Sequence, residues 1–279
     1  LTIEDLPPIR DIINQYGLAA KKSLGQNFIC DLNITRKIAK IAGDLTDYTI
    51  IEIGPGPGSL TRALLLENAK RVIAIEKDKR CLAALKSLEE AAKGRLVLLE
   101  ADAMDVKLQE IAPHPFKIVA NLPYNLSTQL LMHWLDEHEG VVSLTLMFQK
   151  EVANRLVAQP GSKDYGRLSV LTQFCGDAQI KLVLPPDIFT PSPSVYSALV
   201  QINLYAPPRH LCNWDVLKII TRAAFAQRRK MLRSTLKPIF HSVEDVLAPL
   251  GINPTLRAEN LSIEQFCMLA DAYEKKAYA

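Results

Sequence analysis

Asn121-Leu122-Pro123-Tyr124 follows the apolar run Phe116-Lys117-Ile118-Val119-Ala120, which reads as a buried strand. An Asn and an aromatic residue around a proline, at a strand's end, suit one chemical problem: methylating an exocyclic amine on a flat base. Such an amine is a poor nucleophile, because its lone pair is delocalised into the ring. Two acceptors set against its two N–H bonds draw that pair out of conjugation. The Asn121 side-chain oxygen and a main-chain carbonyl near Leu122 are the candidates. Pro123, with a fixed φ and no N–H, stiffens the loop, and Tyr124 offers a face for an unstacked base. The same four residues also make an ordinary turn after a strand, so the motif alone leaves both readings open.

A second constellation lies upstream. The strand-like Ile50-Ile51-Glu52-Ile53 runs into Gly54-Pro55-Gly56-Pro57-Gly58 and then a helical stretch, Ser59 to Leu66. Glycines at a strand-to-helix turn admit a ligand close to the backbone, and the helix N-terminus adds N–H donors. The next strand candidate, Arg71–Ile75, ends in Glu76, placed as a ribose-binding acid about 20 positions after the first glycine. The third, Arg95–Leu99, leads to Asp102, a candidate acceptor for an adenine amino group. The dinucleotide fingerprint needs Gly or Ala where Ser59 stands. The observed Gly54-x-Gly56-x-Gly58 is instead the pattern common in S-adenosylmethionine sites, and with the Asn-Leu-Pro-Tyr corner it favours methyl transfer over hydride transfer. Singly, Glu76 is also readable as a solvated charge and Asp102 as a helix N-cap. Their joint occurrence at the ends of successive strands carries the weight, since open α/β sheets bind ligands there.

The elements that must position these residues alternate strand and helix from Thr49 to about Tyr205, the pattern of a parallel sheet covered on both faces. Helices are expected over Ser127–Asp136 and from Lys150 to about Ala158, with another opening at Asp164–Ser169. Further strands are expected over Val142–Gln149, Ala178–Leu184 and Ser197–Leu204. The first 40 or so residues read as helical around a loop at Ala20–Phe28. Pro185–Pro193 is too proline-dense for helix or central strand and reads as a rigid loop. In it Phe189 is either a plug into the core or a stacking partner for a base. Tyr205–Arg209 reads as a linker, which divides the chain at 205/206 into a sheet domain and a helical domain.

The composition, 48% hydrophobic and 23% charged with a net charge of +3, is that of a globular chain and says little about partners. The distribution of charge says more. Between Val216 and Val243 stand Lys218, Arg222, Arg228, Arg229, Lys230, Arg233 and Lys237, with no Asp or Glu among them. Lys218, Arg222, Arg229 and Arg233 fall at helical spacing, opposite Phe225, Leu232 and Leu236. This predicts an amphipathic helix with a basic, phosphate-binding face. The five cysteines are scattered without C-x-x-C, and neither they nor the five histidines have metal-ligand spacing. Reduced thiols, a cytoplasmic location and no metal are expected. No run reaches the roughly 18 apolar residues of a membrane span, and Glu4 and Asp5 interrupt any signal-type core. Leu1 in place of Met is read as a trimmed start.

Together these motifs resemble those of the rRNA adenine N6,N6-dimethyltransferase family. The resemblance rests on Lys21–Phe28, Glu52–Gly58, Glu76-Lys77-Asp78, Asn121–Asn125, Phe189–Pro193, Phe225–Lys230 and Arg257–Ser262. It departs from the family at Ile29, where Leu is usual, and at Ser194 and Tyr196, where a basic residue and Asp are usual. The resemblance implies a Rossmann-like methyltransferase fold, with a seven-stranded mostly parallel sheet and a small all-helical C-terminal domain. It implies S-adenosyl-L-methionine as cofactor, with contacts at Asn27, Ile29, Gly54, Gly56, Glu76, Asp102 and Asn121. Asn121, Leu122, Pro123, Tyr124 and Phe189 would hold the target base, and Arg222, Arg228, Arg229, Lys230 and Arg233 would hold RNA. The implied reaction is N6,N6-dimethylation of two adjacent adenosines near the 3′ end of 16S rRNA in the small ribosomal subunit, by a monomer. The alternatives are a 23S rRNA methyltransferase of the macrolide-resistance type, an NAD-dependent oxidoreductase, and an RNA-binding ribosome-assembly factor with secondary catalysis.

Overall fold

Apolar runs without alternation build the centre of the molecule, seen in a computed structural model that describes residues 2–18 and 26–277. The chain divides into two units, one formed by the residues up to Ala153 with Gln179–Leu204, the other by Asn154–Ala178 with the residues from Tyr205. The first unit holds the strands. In chain order they are β1 (Phe28–Ile29), β2 (Thr49–Ile53), β3 (Arg71–Glu76), β4 (Leu96–Glu100), β5 (Phe116–Ala120), β6 (Val141–Gln149), β7 (Gly176–Leu184), β8 (Phe189–Thr190) and β9 (Ser197–Leu204). Seven of them form one sheet in the order β4-β3-β2-β5-β6-β9-β7, and β1 pairs separately with β8. Strands β2 to β6 run parallel, and β9 returns antiparallel to β6. Every residue of β2 and β5 is buried, as expected for central strands covered on both faces. In β7, at the sheet's edge, burial alternates and Lys181 faces out, a charge that discourages edge pairing.

The helices of this unit are α1 (Ile9–Gln15), α2 (Leu32–Ile41), α3 (Ser59–Leu66), α4 (Lys79–Ala91), α5 (Leu108–Ile111), α6 (Ser127–Asp136) and the start of α7 (Lys150–Val157). Asp31 and Asp78 cap α2 and α4 by accepting from Asn33 N and Arg80 N, which satisfies amides the helices themselves leave free. A charge in a central strand needs the same accounting. Lys117 in β5 donates to the carbonyls of Ala42 (3.0 Å) and Asp44 (2.6 Å), just past α2, and lies 4.5 Å over the Tyr48 ring. Its burial lowers its pKa.

The second unit is helical, with α8 (Arg167–Cys175), α9 (Trp214–Ala224), α10 (Leu232–Thr235), α11 (Val243–Leu247) and α12 (Ile263–Ala277). Here the structure corrects the expected domain boundary. The cut at 205/206 assigns 154–178 to the sheet domain, yet this segment packs with the C-terminal helices. Tyr165 is the reason. It is buried, its hydroxyl donates to the Leu261 carbonyl at 2.9 Å, and its ring meets edge-on that of Phe225, which itself lies tilted against Phe266. Strand β7 begins at Gly176, so the chain returns to the sheet only after α8.

The basic run is corrected as well. It is not one amphipathic helix: α9 stops at Ala224, Phe225–Lys230 forms turns, and α10 begins at Leu232. Helical spacing therefore does not relate Lys218 and Arg222 to Arg229 and Arg233. The face is not wholly basic either, because acids reach it from elsewhere in the chain. Arg228 pairs with Glu259 at 3.2 Å and donates to the Lys163 carbonyl, and Lys218 pairs with Asp215 at 2.9 Å. Arg222, Arg229, Lys230, Arg233 and Lys237 are exposed. Among the described residues no helix is long and apolar enough to cross a membrane.

Candidate active site

The parallel strands end together. Ile53 lies opposite Ile75 and Glu76 opposite Glu100, and Gly54 N donates to Ile75 O (2.9 Å) while Ala101 N donates to Glu76 O (3.2 Å). Sheet order reverses between β2 and β5, so the loops leaving these strands diverge and open a crevice. A cavity of about 280 Å³ fills it. Asn27, Ile29, Gly54, Gly56, Glu76, Asp102 and Asn121 all line this cavity, as do Leu122 and Pro123. Residues read separately from motifs spread between positions 27 and 123 thus share one wall. Of the N-terminal motif, Lys21–Gly25 lies outside the described residues.

The glycine turn is built for close approach. Gly58, at φ +90°, ends the turn before α3; that left-handed backbone favours glycine, and a Cβ there would also come within 2.5 Å of the Leu85 side chain. Gly54, at φ +65°, meets no atom within 4 Å of where a Cβ would project. The space beside it is left for a ligand. Glu76 holds the turn, accepting from Gly56 N (3.2 Å), Lys77 N (2.9 Å) and Asp78 N (2.9 Å). Burial raises its pKa, and these three bonds oppose that rise. Asp102, past the end of the neighbouring strand, is half-exposed, accepts from Met104 N and pairs with Lys77 at 3.4 Å. The sequence also allowed a helix N-cap here; the Met104 bond instead closes a turn, and the next helix begins only at Leu108. That bond lowers the Asp102 pKa, and with Lys77 it keeps the carboxylate charged.

At the end of β5, the Asn121 side-chain nitrogen donates to the Asn27 carbonyl at 2.9 Å, which leaves the amide oxygen as its acceptor. The Asn27 amide, oriented to suit its neighbours, donates in turn to the Pro191 carbonyl at 3.0 Å. β1 and β8 hold these partners together, with Ile29 opposite Phe189. Pro123 O accepts from Leu126 N and Ser127 N, and Tyr124 O accepts from the Ser127 hydroxyl. Those two carbonyls are used by the first turn of α6, and the Leu122 carbonyl stands beside Asn121 as a candidate main-chain acceptor. Tyr124 is partly buried, its hydroxyl bonded to Ser197 Oγ at 2.5 Å, and burial raises its pKa.

Two expected base-contacting residues, Tyr124 and Phe189, are not on the cavity lining. Tyr124 stands next to it at the corner. Phe189 is only 3% exposed and packs in the core cluster with Ile29 and Leu199, so its plug role and not its stacking role describes it. An aromatic residue in a proline loop is ambiguous in sequence. The β1–β8 pairing, which turns the ring inward, is a long-range event.

Glu52 is the wall residue that motif reasoning passed over. It is 1% exposed at the end of β2, and its Oε2 has no hydrogen-bond partner. Its carboxyl faces Thr61, but the Thr61 hydroxyl is also unpartnered, so the contact falls short of a formed hydrogen bond. Burial pushes its pKa up to about 8. The signal was present, since an acid in an otherwise apolar central strand has a cost that needs a reason.

This donor set fits S-adenosyl-L-methionine. A buried carboxyl with one oxygen unpartnered suits a ligand that brings positive charge, Glu76 and Asp102 suit ribose and adenine, and the Gly54 turn leaves room beside it. A family model described as ribosomal RNA adenine dimethylase matches residues 17–275. The chain is 55% identical over 271 residues to ribosomal RNA small subunit methyltransferase A of Cereibacter sphaeroides, covering 96% of this chain and 98% of that protein. It is 51% identical over 277 residues to the protein of the same name from a Jannaschia species, covering 98% and 96%. Among solved structures, a dimethyladenosine transferase from Plasmodium falciparum superposes with a TM-score of 0.78 at 26% identity, over 88% of this chain and 97% of that one. The 23S rRNA methyltransferase ErmE superposes at 0.69 with 24% identity, over 89% and 100%, a likeness of fold. By the family match over nearly its whole length, this chain belongs to the ribosomal RNA adenine dimethylase family.

Proposed function

We propose that this enzyme transfers methyl groups from S-adenosyl-L-methionine to N6 of two adjacent adenosines near the 3′ end of 16S rRNA in the small ribosomal subunit. The observation that carries the chemistry is the Asn121 amide, fixed by the Asn27 carbonyl at the cavity wall. Small-subunit choice is supported by relatives of that name at 51–55% identity over nearly the full chain.

When bound, S-adenosyl-L-methionine supplies an electrophilic methyl group carried on a sulfonium. The residues of the chain do the rest by placement. In the first transfer the Asn121 oxygen and the Leu122 carbonyl accept hydrogen bonds from the two N6 N–H groups, and in the second one of them accepts from the N–H that remains; both turn the nitrogen lone pair toward the cavity. No general base is required, because the methylated nitrogen is cationic and acidic enough to lose its proton to water. Tyr124, its hydroxyl anchored on Ser197, supports the flipped ring. Glu76 accepts from ribose hydroxyls, Asp102 from the adenine amino group, and the main chain at Gly54 leaves room beside it. Arg222, Arg229, Lys230 and Arg233, exposed in the helical unit, bind RNA phosphate. Arg228, tied to Glu259, contributes less.

The test incubates the protein with labelled S-adenosyl-L-methionine and undermethylated small subunits and maps the label. Two adjacent N6,N6-dimethylated adenosines near the 16S 3′ end are expected. Label confined to large-subunit RNA, or none in either RNA, overturns the proposal.

A further inference from the structure

Tyr196 stands immediately before β9 with 52% of its surface exposed, although the next four residues, Ser197 to Val200, are fully buried. Its backbone is fixed. The β6–β9 ladder ends with Gln149 opposite Ser197, and Lys150 N donates to Tyr196 O at 2.9 Å. Lys150 opens α7 and Tyr196 precedes β9, so this bond holds the two backbones together one step past the ladder. The Lys150 ammonium lies 5.8 Å from the Tyr196 ring centroid, and both side chains are exposed. Val195 beside them is 39% exposed. A single exposed aromatic residue needs no explanation. Three features distinguish this one: a rigid backbone, a cation beside the ring, and its position. The neighbouring Ser197 hydroxyl bonds Tyr124 OH, so Tyr196 adjoins in sequence the residue that anchors the methyl-accepting corner, at the end of the sheet where the parallel strands stop.

A flat ring with an ammonium over one face matches an unpaired nucleotide in both its parts, the ring's other face taking the base and the cation the phosphate. We infer that Tyr196 and Lys150 form a subsite for the RNA nucleotide adjoining the target adenosine. This inference rests on the rRNA-methylating reading above. The subsite holds the strand beside the corner while the target base is turned out of the stack. Its contribution falls on substrate binding, because neither residue reaches the reacting atoms.

The test uses the full chain and its Y196A, Y196F and K150A variants. KM and kcat are measured on undermethylated small subunits, and S-adenosyl-L-methionine affinity is measured separately. Y196A should raise KM about tenfold with kcat and cofactor affinity little changed, the effect of losing one base–aromatic stack. Y196F keeps the ring and should stay within about twofold of wild type, and K150A should raise KM by a factor that shrinks as salt increases. A short RNA of the small-subunit 3′-terminal sequence, with 2-aminopurine beside the target adenosines, reports the stack directly. Wild type and Y196F should quench it and Y196A should not. An unchanged KM in Y196A, or a Y196F as impaired as Y196A, overturns the subsite. Failure of the wild-type protein to methylate small subunits would instead overturn the functional reading on which it rests.

Discussion

Replacing Glu52 with Gln should stabilise the protein, and the gain should grow with pH. The carboxyl is 1% exposed, its Oε2 has no partner, and its pKa is raised from 4.5 to about 8, chiefly by desolvation. Between those two values the folded chain holds this proton and the unfolded chain has lost it. Unfolding then releases a proton, so stability falls as pH rises, by about 1.4 kcal/mol per unit. From 4.5 to pH 7 the wild type loses on the order of 3 kcal/mol through this group. Gln keeps the shape and cannot ionise. Its new N–H donors lack an obvious acceptor, which costs about 1–2 kcal/mol, so the net gain at pH 7 is about 1–2 kcal/mol. At roughly 2–4 °C per kcal/mol for a chain of this size, that is a rise of several degrees in Tm. Thermal unfolding of the cofactor-free protein at pH 5, 6, 7 and 8 provides the assay. E52Q should lie close to or below wild type at pH 5 and move progressively above it by pH 8. A difference between the two proteins that stays constant across this range would refute the buried, neutral carboxyl.

Three further outcomes follow from the site. Asn121→Ala removes a positioned acceptor and should lower kcat by about 2–4 kcal/mol in barrier terms, roughly 30- to 1000-fold, by analogy with single oxyanion-hole donors. Labelled methyl transfer measures it, and near-normal turnover would remove Asn121 from its role. Glu76→Ala should weaken cofactor affinity and also lower Tm, because three backbone amides lose their acceptor. Calorimetric titration with unchanged affinity would rule out the ribose contact. Charge reversal at Arg229, Lys230 and Arg233 should weaken small-subunit binding and flatten its salt dependence, whereas Arg228→Ala alone, already engaged with Glu259, should do so only slightly. Binding titrations between 50 and 200 mM salt, a range suited to this effect, distinguish the two, and equal slopes would make the basic segment a solvated surface.

Where a property is local and covalent, the sequence displayed it. The central strands β2 and β5 are continuous apolar runs, α6 begins where Pro123 permits, and the glycine turn announces a close approach. What was hidden depends on partners distant in the chain. Phe189 is turned into the core by β1, some 160 residues earlier. Tyr165 draws 154–178 to the C-terminal helices through Leu261. The basic run reads as one helix because its spacing is helical. Yet Leu232 N and Arg233 N bond to the carbonyls of Leu256 and Pro254, which helps set α10 apart from α9. Lys117 looks misplaced in a central strand until the carbonyls past α2 supply its acceptors.

The same long-range logic explains why the corner is competent before any substrate arrives. An amide free to rotate would present its NH2 to the target amine as readily as its oxygen, and two donors facing each other cannot draw out a lone pair. The Asn27 carbonyl removes that choice by taking the Asn121 nitrogen at 2.9 Å. Flipping the amide would break this bond and set two oxygens against each other, a penalty of about 1–3 kcal/mol. That alone keeps the acceptor facing the base in roughly 85–99% of molecules. Asn27 is itself positioned by Pro191 through the β1–β8 pairing. On the proposed reading, Asn27, the strand-end motif and the proline loop act together, each contributing a contact that helps fix the next.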